Sequence, residues 1–175
     1  LYRESPLTAE DILAFECDHA VIATGSHWRR DGVGRRLLKP LPILAGSDVL
    51  TPDDLMDGKR PAAKSVVIYD DDHYYMDSVL ASHSGTFATV THTITCAEST
   101  LPCAAIVLAT DRIPSNALYH ELKPALVDGK LKSLRLIGDA ESPNIIAQAV
   151  FSGHLAAREF DEVVDPDKTP FKLER

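Results

Sequence analysis

Residues 134–160 constrain the fold more than any other stretch of this chain. Leu134, Leu136 and Ile137 predict a short apolar strand, Gly138 lets the backbone turn without a Cβ, and Asp139 sets a carboxylate just past the strand's end. A helix is predicted to follow at once. Ser142 serves as its N-cap, Pro143 takes its first position, and Ile145, Ile146, Ala149, Val150, Ala156, Ala157 and Phe160 recur at helical spacing. A carboxylate at a strand tip beside a helix N-terminus can accept bonds from ribose hydroxyls while helix amides face phosphate.

A second strand end has the same character. His19 to Ile22 is an apolar run closed by Ala23-Thr24-Gly25, small residues that let a ligand or another segment approach the backbone. Ser65 to Tyr69 is another buried strand, and Ala104 to Thr110 a further one that echoes Ala20 to Gly25. After Tyr69 a working dinucleotide-binding turn needs Gly-x-Gly-x-x-Gly, because only glycine lets a pyrophosphate reach the backbone amides. Here Asp70-Asp71-Asp72-His73-Tyr74-Tyr75 follows, and three carboxylates repel a diphosphate. No nicotinamide nucleotide is expected at that turn.

Gly138-Asp139, the helix after it and Ala23-Thr24-Gly25 resemble the carboxyl-terminal half of the trimethylamine, dimethylamine and histamine dehydrogenases, a family related to 2,4-dienoyl-CoA reductase. The resemblance covers nearly the whole chain but only part of such a protein. It implies a Rossmann-like α/β fold of the FAD/NAD(P)-binding type, with a mainly parallel sheet and a reduced inserted second unit. It also implies that the first strand-turn-helix of the nucleotide domain lies before residue 1, and that several tens of residues of the second unit are missing. The glycine-free turn at Asp70 is similar to the amine dehydrogenase branch, which uses no nicotinamide nucleotide. Flavin mononucleotide, a 4Fe-4S cluster and the amine chemistry would reside in a barrel that this chain does not contain.

Expected domain limits are 1–64 plus 127–175 for the FAD/ADP-binding-type domain and 65–126 for the truncated NAD(P)-binding-like unit. Thr8 and Asp11 read as a capping box, and Thr51-Pro52 through Gly58 as a compact helix. Ser26 to Leu50 reads as an irregular connection, Met76 to His83 as a two-turn helix, and Thr86 to Cys96 as a strand pairing with 101–110 through a turn at 97–100. Ala117 to Leu122 reads as a short helix. Trp28 with Arg29 and Arg30 could clamp a phosphate or pack on a neighbouring domain.

A net charge of −8 disfavours nucleic acid and anionic membranes, since phosphate attraction needs a basic face. The apolar runs are too short to span a bilayer, and nothing resembles a signal peptide, so a cytoplasmic location is expected. Cys17, Cys96 and Cys103 are too scattered for a disulfide framework or a four-cysteine cluster, and no histidine pair has metal-ligand spacing. His154 reads as a core or interface residue.

These observations define the expectations. Ala23, Thr24, Gly25, Gly138, Asp139 and Ala140 would hold ADP, or the ADP half of FAD, with no catalytic and no metal residue in the chain. The whole would be the carboxyl-terminal piece of a flavin-dependent oxidoreductase acting on small methylated amines, partnered by a flavin barrel domain or subunit. The isolated chain is expected to be inactive. The competing reading is a non-catalytic interaction or dimerisation module that binds no nucleotide, with Trp28, the arginines and the edge near Gly85 as contact surface. An intact NAD(P)-dependent reductase domain is disfavoured by the aspartate turn.

Overall fold

The computed structural model of the chain describes residues 4–62, 64–71 and 78–160. In chain order these form α1 (Ala9–Ala14), β1 (His19–Ile22), β2 (Ser26–Trp28), β3 (Asp48–Leu50), α2 (Pro52–Met56), β4 (Val66–Asp70) and β5 (Ser78–His83). There follow β6 (Phe87–His92), β7 (Glu98–Pro102), β8 (Ala105–Ala109), β9 (Arg112–Pro114), α3 (Ala117–Val127), β10 (Ser133–Leu136), a 3-10 turn at Gly138–Ala140 and α4 (Ile146–Arg158). The fold is α/β with parallel strand pairing, as the sequence implied.

Contacts divide the chain into residues 1–26 with 114–175, and residues 27–113. The limits read from the sequence, 64/65 and 126/127, differ from these for two reasons. β3 pairs in parallel with β8, Asp48 opposite Ala105 and Leu50 opposite Val107, which ties the supposedly irregular 26–50 segment to the second unit. At the other end α3 joins the first unit, because its Leu122 and Ala125 are buried with Leu131 and Leu134.

The first unit is built on β1 and β10, which run parallel with His19 opposite Ser133 and Ile22 opposite Leu136. Ala20, Ile22 and Leu134 turn inward against α3, with Ile12 and Leu13 of α1 closing the cluster. The full burial of Leu122 alone contributes about 1.5–3 kcal/mol. Burial of Ala125, three residues further on, accounts for α3 continuing through Pro124 to Val127 instead of ending near Leu122. The capping box of α1 is present: Thr8 N–H donates to Asp11 at 2.8 Å, and Asp11 N–H donates back to the Thr8 hydroxyl at 3.2 Å.

The second unit has a three-stranded parallel sheet in the order β3-β8-β4 and an antiparallel sheet in the order β5-β6-β7. Ala105, Ile106, Val107 and Leu108 are all buried, as a central parallel strand with both faces covered requires. Ile106 and Leu108 pack with Tyr69, Leu80, Ala88, Cys103 and Leu41. The helix expected at Met76 to His83 is a strand over Ser78–His83, paired with β6. Residues 76 and 77 lie outside the described residues. The pairing of β6 is also shifted from expectation: its partner is Glu98–Pro102, and Ala105–Ala109 belongs to the parallel sheet.

A charged staple holds α2 to the loop before it. Asp54, 2% exposed, accepts from Thr51 N–H at 2.9 Å and from Thr51 Oγ1 at 3.1 Å, and it pairs with Lys59 at 2.5 Å and with Arg30. The Lys59 ammonium, then the Arg30 guanidinium and Thr51, hold this carboxyl well below the usual carboxylate range. A depressed folded pKa stabilises above the unfolded value, near pH 4, and that contribution is lost as pH falls. Asp54→Asn should therefore lower the thermal midpoint at pH 7 by the equivalent of about 1–3 kcal/mol. The gap to the parent chain should narrow below about pH 4; a gap that is the same at pH 3 and pH 7 would contradict the staple.

Candidate functional site

The parallel register of the first unit carries β1 and β10 to the same level, so the Ala23–Gly25 and Gly138–Ala140 turns emerge side by side at their carboxyl ends. Ile137 N–H donates to Ile22 carbonyl at 3.0 Å and closes the ladder there. Gly25 and Gly138 both adopt φ near the left-handed region, +74° and +63°, where an L side chain is strained. For Gly138 conformation is the whole reason, since an added Cβ would meet only ordinary contact with Ala149.

Asp139 is half-buried rather than enclosed by apolar neighbours. It accepts from the Ser26 hydroxyl at 3.4 Å and from Asn144 N–H at 3.3 Å. Gly138 N–H donates to Ser152 Oγ at 2.7 Å, fixing the turn to α4. Across the ledge the Thr24 hydroxyl donates to Ser115 carbonyl, and Ser115 N–H donates to Gly25 carbonyl at 2.9 Å. Ala23 and Thr24 are exposed, whereas Ala140 is fully buried, so only its main chain could meet a ligand.

The helix does not start where the sequence suggested. A 3-10 turn occupies Gly138–Ala140, and α4 begins at Ile146 with Ile145 as N-cap and no side-chain cap bond. Two local bonds explain the delay. Asn144 N–H is taken by Asp139, and Ile145 N–H by the Asn144 side chain at 2.8 Å, while Pro143 biases Ser142 away from helical backbone. Asp139 thus caps the connecting turn as well as marking the strand end.

At the corresponding ends of β4 and β8 in the second unit the arrangement is different. Asp71 is 2% exposed, and its Oδ2 accepts from Arg36 N–H at 3.0 Å. Its Oδ1, the Thr110 hydroxyl and the Tyr69 hydroxyl are buried without a hydrogen-bond partner among the described residues. Burial, then the charge of Asp71, pushes the Tyr69 phenol up to about 12. Gly34 lies directly on this carboxylate: a Cβ there would stand 2.3 Å from Asp71 Oδ2 and 3.1 Å from Thr110 Cβ. The loop around Gly34 therefore covers the strand ends where a dinucleotide would be sought. Residues 72–77 of the aspartate turn lie outside the described residues.

The other candidates resolve locally. Arg29 pairs with Asp31 at 2.5 Å, Arg30 with Asp54, and the Arg112 guanidinium lies 5.4 Å from the Trp28 ring centre. Trp28 and these arginines are thus engaged within the second unit, a use that the spacing of the arginines did not reveal. His154 is exposed on α4, which removes the core alternative and leaves the interface one. Among the described residues no group of three or more His, Cys, Asp or Glu side chains could hold a metal ion, and no helix is long and apolar enough to cross a membrane.

A parallel α/β unit with two adjoining glycine-bearing strand ends is the class that this geometry defines. No family model matches the chain. It is 28% identical over 245 aligned positions to the dimethylamine dehydrogenase of Hyphomicrobium sp. (strain x), a match covering 99% of this chain and 33% of that protein. The structure of histamine dehydrogenase from Rhizobium sp. 4-9 superposes with a TM-score of 0.90 at 31% identity, covering 98% of this chain and 35% of that one. The 6-hydroxypseudooxynicotine amine oxidase of Pseudomonas geniculata N1 superposes with a TM-score of 0.85 at 30% identity, covering 91% and 31%. The resemblance to the trimethylamine, dimethylamine and histamine dehydrogenases is borne out over nearly the whole chain. The chain spans about a third of the length of these relatives. The 245 aligned positions against 175 residues also mean that part of the matched relative faces a gap here.

The Gly34 contact is directly testable. Gly34→Ala forces the added methyl into Asp71 and should lower the thermal midpoint by the equivalent of about 1–3 kcal/mol. An unchanged midpoint would show that the loop is not seated on Asp71.

Proposed function

We propose that the first unit binds adenosine diphosphate, free or as the ADP half of FAD, at the ledge formed by Ala23, Thr24, Gly25, Gly138 and Asp139. The buried Ala140 contributes its backbone. One observation carries this reading: the in-register parallel pairing of β1 and β10 that sets two left-handed glycines and one half-buried carboxylate side by side. The residues fit the group. A carboxylate accepts several donors at once, and among the contacts of Asp139 those from Ser26 and Asn144 are long, so ribose hydroxyls could join or replace them. Glycines at both turns leave the backbone approachable by a diphosphate.

In this reading the chain is part of a flavin-dependent oxidoreductase of small methylated amines. The flavin supplies the redox step, and the residues of this chain bind and orient a nucleotide without taking part in that step. A flavin-bearing barrel, as a further domain or subunit, is its partner. The outward side of α4 supports a docking role: Ile146 is 84% exposed and Val150 is exposed beside it. Docking or self-pairing without any nucleotide is the second reading that this surface favours.

Calorimetric titration with ADP and with FAD separates the two. Saturable binding is expected, weakened at least about tenfold, or about 1.4 kcal/mol, by Asp139→Ala, with the far-ultraviolet circular dichroism unchanged. Absence of binding together with a stable dimer favours the second reading, and an affinity untouched by Asp139→Ala removes the role given to that residue.

A further inference from the structure

Three polar side chains of the second unit are buried together at the carboxyl ends of β4 and β8: Tyr69 is 4% exposed, Asp71 2% and Thr110 3%. The ladder sets Tyr69 opposite Leu108 and Asp70 opposite Ala109, and Asp71 N–H donates to the Ala109 carbonyl at 3.1 Å, so Thr110 comes next, opposite Asp71. Residues two apart on a strand share a face, which puts Tyr69, Asp71 and Thr110 on the same side of the sheet. Asp71 Cγ and Thr110 Cβ lie 3.2 and 3.1 Å from a single point, the position that a Cβ on Gly34 would take. The Tyr69 phenol is near enough to feel the Asp71 charge.

These groups do not bond to one another. Asp71 Oδ1, Thr110 Oγ1 and the Tyr69 hydroxyl each lack a partner among the described residues. Asp71 Oδ2 has one donor, the Arg36 main-chain N–H at 3.0 Å. No cationic side chain pairs with Asp71 among the described residues, and Arg36 itself is exposed. Asp54 is buried to the same degree but faces both Lys59 and Arg30. A carboxylate taken out of water with a single neutral donor keeps most of the cost of its desolvation, and only an opposite charge offsets it.

Charge and donor type indicate what completes the cluster. The three open atoms are all oxygen, one charged and two neutral, a hard set carrying one negative charge. Calcium takes about six to eight oxygens, commonly from several carboxylates. Among the described residues no three His, Cys, Asp or Glu side chains converge. A water would bond the hydroxyls and leave the charge unmatched. We propose that Asp71, Thr110 and Tyr69 bind one monovalent alkali cation, sodium or potassium, beneath the loop that Gly34 seats on Asp71. The cation neutralises the carboxylate, and the two hydroxyl oxygens coordinate it with their hydrogens turned away. It holds the loop on the strand ends, because Asp71 is the acceptor for Arg36 N–H. The site lies wholly within the second unit, so it stands or fails independently of ADP at the ledge.

Thermal unfolding of the full chain tests this, followed by the fluorescence of Trp28, the single tryptophan and a residue of the second unit. Tris chloride, whose cation is too large for a buried site, is exchanged for sodium or potassium chloride at constant ionic strength. At about tenfold its dissociation constant the bound ion should raise the midpoint by about 3–6 °C, saturably, and the salt giving the larger rise identifies the ion. Asp71→Asn, which keeps the shape and removes the charge, should abolish the rise. Thr110→Val, which keeps the charge and removes one oxygen, should weaken the apparent affinity at least about tenfold, and it decides the matter if Asp71→Asn does not fold. Equal midpoints in all three salts would overturn the proposal, leaving a water or the chain's own atoms as the partner. A rise that survives Asp71→Asn, or an affinity untouched by Thr110→Val, would overturn it as well.

Discussion

The parallel bond between β1 and β10 is the interaction on which the first unit depends. It joins residues 114 positions apart, so the chain closes a long loop before any of its contacts form. That closure is offset by the burial of Ala20, Ile22 and Leu134 against Leu122 and Ala125 of α3. The same register then determines the site, because a shift by one residue would turn every inward side chain outward and separate Gly25 from Asp139. Core and ledge are thus consequences of one pairing.

The second unit uses buried carboxylates where the first uses glycines. Asp54 is matched by a hydroxyl, an amide and two cations, and Asp71 receives a main-chain amide from the loop that Gly34 lets come close. These acids serve the internal structure of the unit, with the loop drawn onto the strand ends by the charge that was read as repelling a diphosphate. The likeness to amine dehydrogenases therefore coexists with two strand ends of opposite character: one open and glycine-bearing, the other covered by its own chain.

Local signals were legible where a few adjacent residues decide the outcome. The Thr8 and Asp11 capping box, the Thr51-Pro52 start of α2 and the all-apolar β8 all follow from short-range chemistry. Gly138 and Asp139 were legible as a strand end for the same reason. The start of α4 was not, because Asp139 and Asn144 compete for the amides that a helix at Ser142 would use. Ser78–His83 was misread as helix because its strand state comes from pairing with β6, which no local pattern reports. The unit boundary was displaced for a similar reason: three residues, Asp48–Leu50, are too few to announce a strand, yet their pairing with β8 carries the whole preceding loop into the second unit.

Nucleotide binding at the β1–β10 ledge is the central proposal, and backbone amide shifts report it residue by residue. On titration of the ¹⁵N-labelled chain with ADP, the largest changes should fall on Gly25, Gly138 and Asp139, with Asp70 and Asp71 unmoved. Changes concentrated at Asp70 and Asp71 instead, or none at the ledge at saturating ADP, would contradict it.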